Sequence, residues 1–208
     1  MVCRAGPMKL TTSQGPALVL PTFDGVRELR TQRTLLRNWM DSDIEPWVEM
    51  NADPEVRRWF SFVATREQAL AELARGRSQL QRRGWGIWAL EVPGVLPFAG
   101  FVGLFVPAWS AHFTPAVEIG WRLPRAAWGH GYASEAAAAA AAFGLDVLGV
   151  DELVAITVPG NEPSRRVMSR IGMVHDEAGD FAHPAIASDH PFSRHVLYRL
   201  RKLHAGGV

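Results

Sequence analysis

Apolar residues recur with helical spacing in the first part of this chain and in short strand-like runs after it, and the change falls near residue 84. Capping signatures at Ser42-x-x-Glu45 and Thr65-x-x-Gln68, together with Asp53-Pro54, predict three helix starts. Beyond Gly84, apolar runs separated by turn residues predict strands. The predicted strands cover 31–39, 85–92, 98–106, 116–123, 153–158 and 196–200, and the predicted helices begin at 42, 53 and 65 or cover 133–148 and 163–171.

The order of these elements predicts one α/β domain of the α+β type. Strands that first pair as hairpins and then enter a β-α-β unit imply a mixed, mostly antiparallel sheet with helices on both faces. A chain of 208 residues with 48% hydrophobic composition suits a single core. Residues 1–25 carry prolines and glycines without periodicity, so we expect a flexible leader over 1–25 and the domain over 26–208.

Composition argues against several classes of protein. The net charge is +1 and the basic residues are scattered, which gives no electrostatic footprint for nucleic acid or an anionic membrane. The single cysteine, Cys3, cannot form an internal disulfide and is a poor candidate nucleophile, which indicates a reducing compartment. The longest apolar run, over 136–145, is broken by Asp146, so neither a membrane span nor a signal peptide is expected. We therefore expect a soluble cytoplasmic protein.

The segment from Val117 to Ala136 carries the strongest chemical signal. It is a predicted strand, a turn with Gly129 and Gly131, and the start of a helix. Glycines let the backbone approach a ligand closely, and the first turn of a helix presents unpaired N–H groups to an anion. The N–H groups from Gly129 to Ser134 are thus a candidate pyrophosphate cradle that needs no charged side chain. Alternatively, the glycines only make a tight connection and the alanine run is ordinary helix-forming sequence.

The run Trp128-Gly129-His130-Gly131-Tyr132-Ala133 resembles the Q/R-x-x-G-x-G/A acetyl-CoA signature of the GNAT superfamily of N-acetyltransferases, in the form typical of its RimJ/RimL-like branch. The pattern L-R-T-x-R-x-x-L-R over 29–37, the E-I-G-W-R-L strand and a later N-x-x-S before a helix are also similar to that branch. The resemblance covers roughly residues 26–203. Trp128 departs from the Gln or Arg of the general motif, which leaves the backbone cradle intact.

The resemblance implies a GNAT-type fold, acetyl-CoA as cofactor and contacts to it from specific positions. Backbone groups of one strand would pair with the pantetheine arm, and Asn161 would contact the same arm. A further pair, Arg165-Arg166, either reaches the 3′-phosphate of the cofactor or lies on a solvated helix face. The expected cofactor-binding residues are Ile119, Trp121, Leu123, Gly129, His130, Gly131, Tyr132, Ala133, Ser134, Asn161 and Arg165.

Glu118 is the candidate general base. Period-2 alternation along the strand places Glu118 and Gly120 on the same face. A glycine inside a strand often marks a close backbone approach, which would leave room for a thioester beside the carboxylate. The alternative is a cross-strand ion pair between Glu118 and an arginine.

Asn161 and Ser164 are the other candidate catalytic positions. In GNAT relatives, a Ser or Tyr near the position of Ser164 can protonate the leaving thiolate. Asn161 is equally well explained as the N-cap of a helix with Pro163 in its first turn, and Ser164 as an ordinary first-turn serine.

Histidines and aromatic residues leave further alternatives open. His183, His190 and His195 cluster in sequence with two aspartates, but their irregular spacing matches no metal-ligand signature, so we expect a solvated loop and no metal. Four aromatic residues either line an acceptor pocket or belong to the core: Trp59, Phe60, Trp109 and Phe113.

The function we expect is acetyl transfer from acetyl-CoA to a primary amine by direct attack in a ternary complex, because no plausible cysteine nucleophile exists for an acyl-enzyme route. From reference pKa values, about 14% of an α-amino group but only about 0.04% of a lysine side chain is neutral at pH 7. A protein or peptide N-terminus therefore demands less of a single glutamate, while small amines remain open. The alternative is a domain that binds acyl-CoA without turnover, and a homodimer is possible in either case.

Overall fold

Nine strands form one sheet in the computed structural model, which describes residues 18–202 of the chain. The strands are β1 (Leu29–Arg30), β2 (Leu35–Arg37), β3 (Ile87–Glu91), β4 (Phe101–Phe105), β5 (Val117–Arg122), β6 (Glu152–Thr157), β7 (Val174–His175), β8 (Phe181–Ala182) and β9 (Arg194–Arg201). The helices are α1 (Ile44–Ala52), α2 (Pro54–Arg57), α3 (Arg66–Arg83), α4 (Tyr132–Ala142) and α5 (Glu162–Arg170).

The sheet has the order β1-β2-β3-β4-β5-β6-β9-β7, with β8 added to β9. Among the described residues, every strand pair is antiparallel except β5 and β6. Helix α3 packs on β3 and α1, whereas α4 packs on β4 and β5. The predicted fold class, a single α/β domain with a mixed and mostly antiparallel sheet, is confirmed.

The parallel pair β5 and β6 separates after a short contact. The register pairs Val117 with Leu153 and Glu118 with Val154, and no further pairing of these two strands follows. On its other side β5 stays paired with β4 as far as Arg122. One edge of β5 beyond Glu118 is therefore free of a neighbouring strand, and the sheet opens at its centre.

Two of the three predicted helix starts are capped as expected, and one is not. Asp53 caps α2, since its side chain accepts from the Glu55 backbone N–H at 2.8 Å. Both bonds of the Thr65 and Gln68 capping box are present at the start of α3, and Gly84 ends that helix with a φ of +75°. The Ser42-x-x-Glu45 signature, however, does not cap α1. A short 3₁₀ turn precedes the helix, and the Asp43 carboxylate accepts from the backbone N–H of Met40 at 2.8 Å. Asp43 occupies this position because it also forms a buried ion pair with Arg37 at 2.8 Å.

The predicted helix over 133–148 is an α-helix that changes to a π-helical turn. Its regular part ends at Ala142, and Phe143–Val147 forms the wider turn. Ala136, Ala137, Ala140 and Ala141 are buried, so the small side chains let α4 lie close to the sheet. Strands β7 and β8 were not predicted because each contains only two residues. No helix within residues 18–202 is long and apolar enough to cross a membrane.

The end of the predicted leader contacts the domain. Trp85 donates its Nε1–H to the carbonyl oxygen of Pro21 at 2.8 Å, and the Phe23 ring meets the Phe143 ring edge-on with centroids 5.9 Å apart. Residues 1–17, with Cys3, and residues 203–208 lie outside the described part of the chain. The domain boundary at residue 26 stays a prediction.

Candidate active site

A cavity of about 730 Å³ occupies the opening between β5 and β6. Residues of β5, the glycine-rich turn, the end of β6 and the start of α5 line it, and the end of α2 closes one side. The cavity brings together eleven of the thirteen predicted site residues: Glu118, Ile119, Trp121, Leu123, Gly129, Gly131, Tyr132, Ala133, Ser134, Asn161 and Ser164. The other two, His130 and Arg165, do not line it.

The glycine-rich turn presents backbone donors to this cavity. Gly129 and Gly131 have φ values of +79° and +82°, a conformation that residues with a Cβ avoid. A Cβ on Gly129 would meet nothing within 4 Å, so the space beside the turn is open. Within residues 18–202, the N–H groups from Gly129 to Ser134 donate to no protein acceptor, and the buried Ser134 Oγ also lacks a partner. Unpaired donors at a helix N-terminus fit a phosphate-bearing ligand.

A clamp from the β1–β2 connection holds this turn, and the sequence did not reveal it. We define the clamp as Thr31, Arg33 and Glu135. Glu135 in the first turn of α4 accepts from Thr31 Oγ1 at 2.5 Å and from the Arg33 backbone N–H and Nε at 2.7 Å each. Arg33 Nη1 also donates to the carbonyl oxygen of His130 at 3.0 Å. Although burial alone would raise it, the hydrogen bonds from Thr31 and Arg33 hold the pKa of Glu135 below its ordinary value.

His130 contributes to the turn through its backbone. Its ring stacks on the Tyr132 ring with centroids 5.3 Å apart and does not line the cavity. The guanidinium carbon of Arg33 lies over the Tyr132 ring, 5.3 Å from its centroid. The structure therefore gives the His130 ring no place in the cavity wall, and a contact of His130 with a cofactor stays a prediction.

Glu118 is buried in an apolar setting at the point where the sheet opens. Its register partners are Phe105 on β4 and Val154 on β6, and only 8% of the residue is exposed. Within residues 18–202, its carboxylate has no hydrogen-bond or ion-pair partner. Burial raises the pKa of Glu118 from 4.5 to about 8.

The alternative of a cross-strand ion pair is not realised for Glu118. The nearest arginine along the strand, Arg122, instead contacts Glu72 at 3.3 Å and donates to Asn51. An uncompensated carboxyl group inside a cavity is costly to folding, which makes it a candidate functional group.

Asn161 is an N-cap, as one of the two interpretations predicted. Its Oδ1 accepts from the Ser164 backbone N–H at 3.3 Å, and its Nδ2 donates to Thr157 Oγ1 at 2.8 Å. These bonds fix the amide at the cavity wall and leave one Nδ2 hydrogen for a ligand. Ser164 is half-buried, and it lines the same wall.

Arg165 and Arg166 point in different directions. Arg165 Nε donates to the Tyr198 hydroxyl at 3.1 Å, and its Nη1 donates to the carbonyl oxygen of Pro159 at 3.1 Å. These bonds hold Arg165 outside the cavity. Arg166 and Arg170, one helical turn apart on α5, line the cavity instead. They are the better candidates for an anionic group of a ligand.

Two of the three clustered histidines belong to the cavity, so the expectation of a solvated loop is wrong for them. His195 lies on β9 with 9% exposure, and its ring centroid is 5.0 Å from that of His183. Burial, followed by repulsion from His183, lowers the pKa of His195 to about 4, and burial also lowers the pKa of His183. Over residues 18–202, no group of three or more potential ligands could hold a metal ion.

Two of the four aromatic candidates line the cavity, and the other two do not. Trp59 and Phe60 line the cavity, and the buried Nε1–H of Trp59 donates to no protein group in the described part of the chain. Trp109 and Phe113 instead pack against Phe181, with ring centroids 5.7 and 5.1 Å away. Only the first pair can contact an acceptor in this cavity.

The fold and the cleft together define a class of protein. A sheet that opens beside the glycine-rich start of a helix offers a slot for an extended thioester and a cradle for its phosphates, which is the arrangement that a coenzyme A-dependent acyltransferase requires. The chain belongs to the GNAT acetyltransferase family, because the family model for the acetyltransferase (GNAT) domain matches residues 33–174. It is therefore an acyltransferase, and the family uses acetyl-CoA.

Individual proteins resemble this chain in sequence or in fold. The uncharacterized protein YkkB of Bacillus subtilis (strain 168) is 32% identical over 123 residues, which cover 58% of this chain and 69% of YkkB. An acetyltransferase structure from Agrobacterium tumefaciens strain C58 has a TM-score of 0.69 at 23% identity and covers 90% of this chain and 100% of that one. RimL, a ribosomal L7/L12 alpha-N-protein acetyltransferase in complex with coenzyme A, has a TM-score of 0.66 at 14% identity, with coverage of 84% and 98%. At these identities the two structures show the shared fold.

Proposed function

We propose that this protein transfers the acetyl group of acetyl-CoA to a primary amine by direct attack in a ternary complex. The observation that carries the proposal is the buried, unpaired carboxyl group of Glu118 at the point where β5 and β6 separate. A base with a pKa of about 8 is matched to an α-amino group, whose reference pKa is about 7.7–8.0. Such matching favours proton transfer near neutral pH.

The residues of the cleft fit acetyl-CoA in three places. The N–H groups from Gly129 to Ser134 would hold the pyrophosphate, and the free Ser134 Oγ supplies a further donor. The free edge of β5, at Ile119 and Trp121, and the following Leu123 would pair with the amides of the pantetheine arm. Arg166, in place of Arg165, would face the 3′-phosphate.

Two proton transfers accompany the reaction, one from the attacking amine and one to the leaving sulfur. The amine nitrogen attacks the thioester carbonyl carbon, and the carbon–sulfur bond breaks. Glu118 accepts the proton that the amine loses, and Ser164 donates a proton to the departing thiolate. Asn161 keeps Ser164 in position through its bond to the Ser164 backbone N–H, so its role is positioning.

The acceptor that we propose is a protein or peptide N-terminus. Because its α-amino group is partly neutral at pH 7, it demands less of one glutamate than a lysine side chain does. RimL, whose fold this chain shares, is described as an alpha-N-protein acetyltransferase, which supports the same acceptor class. The single cysteine of the chain supports a cytoplasmic location.

The test is detection of acetylated product by mass spectrometry. Purified protein is given acetyl-CoA with pooled peptides, polyamines and aminoglycosides, while free thiol is measured in parallel. One acetylated amine with stoichiometric thiol release is the expected result. Thermal stabilisation by acetyl-CoA without any product would contradict the proposal and indicate an acyl-CoA-binding domain.

The clamp predicts a selective effect on cofactor affinity. Replacing Arg33 with alanine removes the bonds to Glu135 and to the His130 carbonyl, so the cradle loses its fixed conformation. Because Arg33 is about half exposed, we expect the KM for acetyl-CoA to rise roughly three- to tenfold, with kcat changed less than twofold. Steady-state kinetics with varied acetyl-CoA measure this split.

Arg30 offers the matched control for the clamp. It is an exposed arginine on β1, next to the same connection. Arg30→Ala is expected to leave the KM for acetyl-CoA within twofold of the wild type. Equal kinetic effects of Arg30→Ala and Arg33→Ala would show that the clamp does not position the cradle.

A further inference from the structure

A second cavity of about 470 Å³ adjoins the active-site cleft. Phe60 and Arg122 line both spaces, so the two are neighbours. The second cavity also contains Arg57, of which only 4% is exposed. Two largely buried guanidinium groups therefore lie beside the proposed reaction site.

The two guanidinium groups share the side-chain oxygen of Asn51, and only Arg122 contacts a carboxylate. Arg122 contacts Glu72 at 3.3 Å and donates to Asn51, while its buried Nε–H has no partner within the described residues. Arg57 donates through Nε to the Phe62 carbonyl oxygen at 3.2 Å and through Nη1 to Asn51 Oδ1 at 3.3 Å. Its Nη2 makes no hydrogen bond within residues 18–202.

Both guanidinium groups contact the ring of Phe60. The guanidinium carbons of Arg57 and Arg122 lie 4.2 and 4.7 Å from the Phe60 ring centroid. Burial, followed by repulsion from Arg122, lowers the pKa of Arg57 to about 10, so Arg57 stays charged at neutral pH. Together with Glu72 they leave one positive charge without a counterion, which is costly in a desolvated site.

We propose that Arg57 and Arg122 form a subsite for a carboxylate group of the acceptor. The inference rests on the proposed function, since it specifies which amines that function would use. A guanidinium group presents donors in a fixed plane that suits a carboxylate, and the free Arg122 Nε–H and Arg57 Nη2 are the available donors. The bound anion would supply the missing counterion.

The spacing along β5 sets the size of the acceptor. Arg122 and Glu118 lie on the same face of the strand, four residues or about 13 Å apart. An extended peptide advances about 3.3–3.6 Å per residue. With its amine at Glu118, an Asp or Glu at the second to fourth position of the peptide would reach the subsite.

The test compares acidic acceptors with their uncharged isosteres. C-terminally amidated tetrapeptides with Asp or Glu at position 2, 3 or 4 are assayed against amidated peptides with Asn or Gln at the same position. A second arm compares 6-aminohexanoate with its amide, so that a small amino acid is distinguished from a peptide as the source of the carboxylate. We expect kcat/KM for the best acidic acceptor to exceed that of its isostere by about tenfold or more.

Variants of Arg57 and Arg122 test whether these two residues cause the preference for acidic acceptors. In Arg57→Gln and Arg122→Gln, the ratio of kcat/KM for acid over amide is expected to fall below about threefold. Arg82→Gln, a change of the same charge at an exposed position that lines neither cavity, is expected to keep the wild-type ratio. Arg57→Lys and Arg122→Lys keep the positive charge and replace the glutamine variants if those fail to fold. The ratio of kcat/KM for acid over amide is expected to be reduced in the lysine variants too.

Three outcomes would overturn the inference. A wild-type ratio near one for every acceptor pair, with neutral peptides still acetylated, removes the subsite and leaves the proposed function intact. A preference that survives unchanged in both Arg57 and Arg122 variants removes these residues from it. Absence of acetyl transfer to any amine removes the proposed function, and the inference with it.

Discussion

Replacing Glu118 with glutamine is expected to lower kcat for acetyl transfer by about 100- to 10,000-fold, the range that general base catalysis contributes. Glutamine has the shape of the protonated carboxyl group but cannot accept the proton of the attacking amine. The Kd for acetyl-CoA is expected to stay within about threefold of the wild type, because the proposed cradle uses backbone N–H groups of the turn before α4, which this change does not touch. Single-turnover kinetics and calorimetric titration measure the two quantities separately.

Glu49 offers the matched control for this prediction. It is an exposed glutamate on α1 that does not line the cavity. Glu49→Gln is expected to retain wild-type kcat. If Glu118→Gln kept kcat within threefold of the wild type, the buried carboxyl group would not be the base.

The pH profile gives an independent readout for the same residue. Because burial raises the pKa of Glu118 to about 8, wild-type kcat/KM for acetyl-CoA is expected to increase up to about that pH. An acceptor amine that is neutral over the whole range separates this ionisation from that of the substrate. The same ionisation is expected to be absent from the residual activity of Glu118→Gln.

Local chemistry made the conformation of the glycine-rich turn predictable from the sequence. Gly129 and Gly131 both adopt positive φ, and a helix begins directly after them, as a glycine-rich turn before an alanine run indicates. The Thr65 capping box was predictable for the same reason, because its partners are three residues apart. Such features depend on neighbouring residues alone.

Contacts between distant segments were not predictable. The clamp joins Arg33 to Glu135, 102 residues away, and neither residue has a local signal for the other. His195 was assigned to a loop because strand β9 starts two residues earlier than its apolar run indicates. The opening of the sheet likewise depends on where β5 and β6 stop pairing, which alternation along one strand does not report.

Arg165 illustrates how a helix face decides a functional assignment. The sequence places Arg165 and Arg166 side by side, and either can face the cofactor. The hydroxyl of Tyr198, on β9, captures Arg165 and leaves Arg166 at the cavity. Tyr198 lies 33 positions further along the chain than Arg165. Which of the two arginines faces the cavity is therefore known only from the tertiary structure.

The second prediction with a large effect concerns stability, because a glutamate with a raised pKa destabilises the fold as the pH increases. The folded protein keeps the Glu118 proton up to a pH of about 8, whereas the unfolded chain releases it near 4.5. Between these values the folded state binds more protons, so the free energy of unfolding decreases by about 1.4 kcal/mol per pH unit from this residue. The contribution is absent below the unfolded pKa and complete above the folded pKa.

Glu118→Gln removes this dependence, because glutamine stays neutral at every pH. We expect the variant and the wild type to unfold with nearly equal free energies below pH 4, and the variant to become more stable by several kcal/mol as the pH rises to 8. Urea unfolding at a series of pH values measures the difference, in which the contributions of all other titrating groups cancel. A difference that stayed constant from pH 4 to 8 would mean that Glu118 ionises normally in the folded protein, and a general base poised near the pKa of an amine would then lack its physical basis.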